Sequence, residues 1–232
     1  MYKLCLCFIF IFSFSCSSQE KEKIKNNTNK ETNSIISDTI KLNNKRLKVS
    51  KISKLEYSNE IDYSEKTEPI NIPHIESAYS LQIRNGDKIV LKDSIGKYED
   101  SDFIKYEILG YFKRLGLYVF LKKELETSSH LIIDERNGYV FKIWGEPIFF
   151  KNSNFFITIA DSLGYDVMPN GIQFCMFDDH KIKILYEYNV DNYIPEEIKI
   201  NKDNSIYVKG LIPSYLSKDN LDSNLFLKIE VK

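Results

Sequence analysis

The chain has 232 residues, which allows one ordinary domain with a full hydrophobic core and at most a small second one. Its 32 basic and 33 acidic residues give a net charge of -1, and only four residues are arginines, so neither a field that attracts nucleic acid nor an arginine cluster for phosphate is present. Aromatic residues make up 13% of the chain and favour strands. The composition predicts an all-β protein with no nucleic-acid partner.

The first 15 residues have the pattern of a signal peptide. One positive residue, Lys3, precedes the apolar run Leu4 to Phe14. A helix that spans a bilayer needs about 20 apolar residues, so this run of 11 is too short and fits an export signal. We therefore expect residues 1–15 to be removed from an exported protein.

The segment Ser13-Phe14-Ser15-Cys16 resembles the lipobox of bacterial lipoproteins. That resemblance implies that lipid is attached to Cys16 and that the chain is anchored to a membrane by two or more acyl chains. Ser17, rather than Asp, resembles lipoproteins sorted to the outer membrane of Gram-negative bacteria, on its periplasmic or surface face. Cysteine counting agrees, because Cys175 would then be left without a disulfide partner. The alternative is an ordinary signal peptide that leaves both thiols free.

The charge and hydropathy pattern divides the remaining chain into three parts. Residues 16–34 are polar and predict a flexible tether with a reach of roughly 20 to 25 Å. Residues 35–73 have sparse, partly alternating apolar positions and predict edge strands or a poorly ordered segment. Residues 74–232 predict the β-rich domain.

Apolar alternation and turn residues predict the strands of this domain. The segment Leu81 to Leu91 alternates on both sides of Asn85-Gly86 and predicts a hairpin. The segment His130 to Ala160 predicts a three-stranded meander with turns at Arg136 to Gly138, Gly145 to Pro147 and Lys151 to Asn154. The predicted strands are Tyr106 to Phe112, Leu117 to Leu121, Leu131 to Asp134, Tyr139 to Trp144, Phe155 to Ala160 and Leu225 to Val231.

Two parts of the central meander recur weakly downstream. Asp134 aligns with Asp178 at an offset of 44 residues, and Phe150 aligns with Ile200 at an offset of 50. Such periods are similar to those of the blades of WD40 and kelch propellers, and the pattern resembles bacterial lipoproteins with propeller-like β repeats. The predicted fold is therefore all-β, with antiparallel meanders forming blade-like sheets of a partial or small propeller. An open sandwich or barrel is the alternative.

No grouped catalytic, metal-binding or cofactor-binding residues are found in the sequence. The three histidines lack the spacing of a zinc site, Cys175 alternates with apolar neighbours as a core residue would, and nucleotide-binding and nucleophile-elbow motifs are absent. The acidic stretches 93–102 and 161–166 lack the spacing of an EF-hand and are interpreted as solvated loops, with calcium binding by their carboxylates as the alternative. We expect no cofactor and no metal.

The longest gap between predicted core strands is the segment 161–171. Long loops on rigid sheets often carry recognition residues, and Trp144 with Tyr165 and Tyr193 offers either an aromatic contact patch or core packing. The candidate recognition residues of this loop are Asp161, Tyr165, Asp166 and Asn170.

These patterns leave two functional hypotheses. The first is a non-enzymatic, lipid-anchored envelope protein that binds or scaffolds a protein or glycan partner. The second is an envelope hydrolase whose acid and base come from Asp134, Asp161 or Asp178.

Overall fold

The computed structural model describes residues 39–42, 45–95, 103–162, 169–219 and 221–231. The described chain is almost entirely β, which confirms the predicted fold class. One α-helix (α1, Lys54–Asn59) begins at Ser53, whose side chain caps it by accepting from the Glu56 N–H at 3.1 Å, and one 3₁₀ helix spans Ser214–Leu216. The strands are β1 Thr39–Leu42, β2 Lys45–Lys51, β3 His74–Ile75, β4 Ala78–Gln82, β5 Lys88–Lys92, β6 Ile104–Phe112, β7 Leu117–Glu124, β8 Ser128–Asp134, β9 Val140–Ile143, β10 Ile148–Phe149, β11 Phe155–Asp161, β12 Asn170–Asp178, β13 Lys181–Asn189, β14 Ile194–Ile200, β15 Ile206–Ile212 and β16 Ser223–Val231.

Within the described residues the strands form four antiparallel sheets, numbered by the chain order of their strands other than β1 and β2. The first sheet is β3-β4-β5, the second is β6-β7-β8-β9, and the third is β10-β11-β12-β13. The fourth has the order β14-β15-β16-β2-β1. None of these sheets closes into a barrel, so the barrel alternative is not the fold of the described residues.

Both ends of the described chain meet in the fourth sheet. The last strand, β16, pairs with β2 in a register that places Leu227 opposite Lys51 and Ile229 opposite Val49. The face predicted for this last strand is confirmed for Leu225, Leu227 and Ile229, which share one core cluster, while Phe226 between them is buried in another.

Apolar residues join neighbouring sheets in sequence order. Leu81 of the first sheet shares a core cluster with Phe120 of the second. Phe112 of the second sheet contacts Phe149 of the third, with ring centroids 4.5 Å apart. The third and fourth sheets share the largest cluster. Among the described residues, no core cluster joins the first sheet to the fourth, so the sheets are arranged as a row of blades.

The segment 60–73, which we call the crossing segment, runs back along this row. Its backbone hydrogen bonds reach the first strand of the fourth sheet, then of the third, then of the second, and Ile72 packs with the core of the first. These bonds are Tyr63 N–H to Ile200 O (2.7 Å), Glu65 N–H to Phe149 O (2.8 Å) and Glu68 N–H to Tyr111 O (2.9 Å). The crossing segment thus bonds to three sheets through its main chain and contacts the core of the first sheet through the side chain of Ile72.

The central meander was predicted as one unit, but the structure divides it between two sheets. Its first two strands are β8 and β9 of the second sheet, whereas its last strand is β11 of the third. The chain changes sheets at Gly145, where an added Cβ would overlap the carbonyl oxygen of Ile159. Only a glycine allows this close approach of two backbones.

The aligned repeats occupy equivalent places in successive sheets. The turn after Asp134 joins the third and fourth strands of the second sheet, and the turn after Asp178 joins the third and fourth strands of the third sheet. The turns after Phe150 and Ile200 each join the first and second strands of their sheets. The weak sequence repeat therefore follows the repeat of the sheets.

Candidate functional site

A groove of about 820 Å³ lies where strands of the second, third and fourth sheets come together. Its volume is within the range of small-molecule and peptide sites. Its lining includes His130, Lys142, Trp144, Gly145, Glu146, Asp161, Gln173, Ile184, Glu187, Glu196 and Leu211.

His130, on β8, lines the groove with a partly buried ring. Its Nδ1 atom is buried and has no hydrogen-bond partner among the described residues. Burial lowers the pKa of His130, and an interaction with the backbone of Trp144 and the charge of Asp161 offset this only in part. The imidazole is therefore neutral at neutral pH, with a nitrogen left without a partner.

Trp144 is the only tryptophan of the chain and directly follows β9. Its backbone N–H donates to Oε1 of Gln173 at 3.4 Å, and Gly145 beside it brings this segment against Ile159. These contacts fix the backbone from which the half-buried indole reaches the groove.

Gln173 is the polar centre of the groove and is 1% exposed. Its Nε2 donates to Oε1 of Glu187 at 2.9 Å, and its Oε1 accepts from Thr158 Oγ1 at 3.4 Å. A buried amide held on both sides cannot turn freely, so it presents its N–H to the exposed carboxylate of Glu187 from a constant position. Sequence reasoning missed both residues. Gln173 was detectable only as a polar residue within the apolar run of β12, where burial requires a partner.

The structure describes two of the four candidate recognition residues. Asp161 is exposed and lines the groove, and it lies opposite Asn170 in the β11–β12 register. Asn170 is 8% exposed, and its Nδ2 donates to the carbonyls of Val190 at 2.6 Å and Tyr193 at 2.8 Å. Asn170 thus holds the backbone after β13. Tyr165 and Asp166 lie outside the described residues, as does Cys16.

The three carboxylates of the hydrolase hypothesis are not brought together in the groove. Asp161 lines it, whereas Asp134 is fully buried in an ion pair with Arg136, and Asp178 pairs with Lys183 at 2.5 Å. Among the described residues, no three His, Cys, Asp or Glu side chains are grouped as metal ligands.

Other sequence candidates have structural places. Cys175 is 1% exposed, which confirms it as a core residue, and burial raises the pKa of its thiol to about 12, with the charge of Glu187 adding to the shift. The thiol is therefore protonated and unreactive at neutral pH. Tyr193 is also buried, at 3% exposure, and packs in the core shared by the third and fourth sheets. It does not extend an aromatic patch around Trp144.

Comparison with family models, with curated proteins and with solved structures found no match. In the part of the chain that the structure describes, no helix is long and apolar enough to cross a membrane.

Proposed function

We propose that this protein is a lipid-anchored binding module of the bacterial envelope, attached through Cys16 and recognising an envelope partner with the groove. The single observation that supports recognition is the groove itself, where a half-buried Trp144 lies beside the hydrogen-bonded pair of Gln173 and Glu187. Apolar surface with a few fixed polar groups is the usual composition of a binding site. The resemblance of residues 13–16 to a lipobox supports the anchor.

The positions of the three carboxylates of the hydrolase hypothesis favour binding over hydrolysis. A glycosidase needs an acid and a base on either side of the bond to be broken, separated by roughly 5 to 10 Å. Of the three carboxylates that the hydrolase hypothesis named, only Asp161 lines the groove. Glu187, another carboxylate of the groove, accepts a hydrogen bond from the Gln173 amide, a neutral group that cannot serve as a catalytic acid.

The anchor is tested by intact mass and fatty-acid labelling of protein purified from membranes. We expect an acylated chain that begins at Cys16, and loss of the label in Cys16→Ala. An unlipidated chain in the wild type would contradict the anchor without affecting recognition by the groove.

Recognition is tested by affinity capture from detergent-solubilised envelopes. Ile184 lines the groove and is 52% exposed, so Ile184→Asp leaves the core intact but places a charge on the binding surface. Val90 in the first sheet is 53% exposed and lies outside the groove lining, which makes Val90→Asp the matched control. We expect Ile184→Asp to lose a partner that wild type and Val90→Asp retain. Equal capture by all three, or release of product from envelope glycan or peptide, would contradict the proposal.

A further inference from the structure

The described lining of the groove carries more negative than positive charge. It contains the four carboxylates of Glu146, Asp161, Glu187 and Glu196, against the single ammonium of Lys142. Of these four carboxylates, only Glu196 forms an ion pair with a residue beyond the described lining, Lys209, at 2.7 Å. A ligand that enters this groove therefore meets an excess of negative charge.

Two of these carboxylates are free to bind a cation. Glu146 and Asp161 are exposed, and neither forms an ion pair within the described part of the chain. Glu187 accepts a hydrogen bond from Gln173, a neutral donor, so its charge is also uncompensated. Carboxylates with unused acceptor positions select ligands with N–H donors that are positively charged.

Apolar side chains lie beside these charges. Trp144 and Leu211 are partly exposed, and Ile184 is 52% exposed. Lysine and arginine side chains combine an aliphatic stem with a cationic end, so the stem can pack on these residues while the end reaches a carboxylate. An indole face also attracts such cations directly.

The strands around the groove favour an extended polypeptide over a glycan. The groove lining combines inner strands with three edge strands, which are β9 and β13, the last strands of the second and third sheets, and β14, the first strand of the fourth. Each therefore has no neighbouring strand on one side. Unpaired strand edges offer backbone N–H and C=O groups that an extended peptide can pair with.

We infer that the groove binds an extended, lysine- or arginine-rich segment of a partner protein, an inference that rests on the proposed binding function. Glu146, Asp161 and Glu187 are the residues that select the cationic side chains, and Trp144 with Ile184 supports their stems.

Fluorescence of Trp144 gives a direct test, because no other tryptophan contributes to the emission. The full chain in a neutral detergent is titrated with three probes: an acetylated, amidated octapeptide of alternating Lys and Val, the same peptide with Glu in place of Lys, and an oligomer of N-acetylglucosamine. We expect saturable binding of the Lys peptide alone, weakened as salt rises from 50 to 500 mM.

Charge variants then assign the selectivity to named residues. Removing one exposed charge in Asp161→Asn should weaken binding of the Lys peptide by roughly three- to fivefold. The variant Glu146→Lys with Asp161→Lys should abolish it and produce binding of the Glu peptide. Asp179 is exposed in the β12–β13 turn, outside the lining, so Asp179→Asn should bind as wild type does.

The outcomes separate the inference from the proposed function. Saturable binding of the oligosaccharide in place of the Lys peptide would overturn the inference and leave the binding function in place. Binding of the Lys peptide that the Asp161 and Glu146 variants leave unchanged would also overturn it. Binding of none of the probes would overturn the inference, and failure of the envelope capture as well would also overturn the proposed function.

Discussion

The carboxylate of Asp134, at the end of β8, lies 3.0 Å from Nδ1 of His180 in the β12–β13 turn of the next sheet. The same carboxylate accepts from Nε of Arg136 at 2.9 Å and from Nη2 at 3.0 Å. Arg136 and His180 are equivalent positions of the sequence repeat, 44 residues apart. Two corresponding turns therefore meet at one buried charge, which joins the second sheet to the third.

We expect Asp134→Asn to lower the free energy of unfolding by about 2 to 3 kcal/mol, because it removes a buried acceptor of charged hydrogen bonds. The repeat offers a matched control. Asp178 is the equivalent residue but its side chain is 48% exposed, so Asp178→Asn should cost less than about 1 kcal/mol. Urea unfolding followed by circular dichroism measures both. Equal losses would show that burial of Asp134 has no energetic consequence.

The same carboxylate predicts a loss of stability in acid. Burial raises the pKa of Asp134, but hydrogen bonds from Arg136 and His180 outweigh burial and hold the pKa below its ordinary value. Since the pKa in the unfolded chain is about 3.9, the contribution is fully present above that pH and is lost as pH falls through the folded pKa. The free energy of unfolding should therefore fall between pH 5 and pH 3.

The variant Asp134→Asn tests this assignment. Carboxyls such as Asp62 and Asp203 also have lowered pKa values and keep part of the acid sensitivity in the variant. We expect a smaller decrease between the two pH values than in wild type. A decrease of the same size would assign the acid sensitivity to those other groups.

Gly145→Ala should lower stability by about 2 to 3 kcal/mol and change the emission of Trp144, because the new Cβ would force the backbone away from Ile159 at the groove. Gly86→Ala is the informative comparison. Gly86 has a φ of +96° but open space around it, so only backbone strain of about 1 kcal/mol is expected there, with no change in emission. Thermal unfolding and fluorescence spectra separate the two effects.

The contact between the crossing segment and the second sheet can be tested with a double-mutant cycle. A Cβ at Gly110 would lie 2.5 Å from Cβ of Thr67, so Gly110→Ala should displace the crossing segment and reduce stability. Thr67→Gly removes the obstructing atoms, and the double variant should regain about 1 kcal/mol relative to the sum of the single variants. If the two single effects are additive, residues 67 and 110 are not energetically coupled, which would contradict the prediction.

Local patterns predicted most strands but not their assignment to sheets. The alternation of β16 and the hairpin at Asn85-Gly86 were correct, since period-two burial and turn chemistry act over a few residues. Asn-Gly hairpin turns commonly have a positive φ at both central residues, and this turn does not. Asn85 does not have a positive φ, because its Oδ1 accepts from the Asp87 N–H at 2.9 Å and shapes the turn through its side chain.

The periodicity of apolar residues does not predict contacts between segments that are distant in the sequence. The two-residue strand β10 has no period to detect, and its place depends on pairing with β11 and on the N–H of Glu65. The groove likewise depends on three sheets meeting. Asp161 was identified because it flanks a long loop, whereas Glu187 reads in the sequence as an ordinary exposed strand residue.

The pairing of β2 with β16 sets the order in which the chain can finish folding. The first three sheets are each built from one continuous stretch and can form while synthesis continues. β2 is made early, but its neighbour β16 begins only at Ser223. Until then the strand has an open edge, which is a template for association with other chains. A truncated chain that ends shortly before Ser223 therefore contains three complete sheets and a fourth that lacks β16. We expect such a chain to aggregate instead of forming a smaller folded protein.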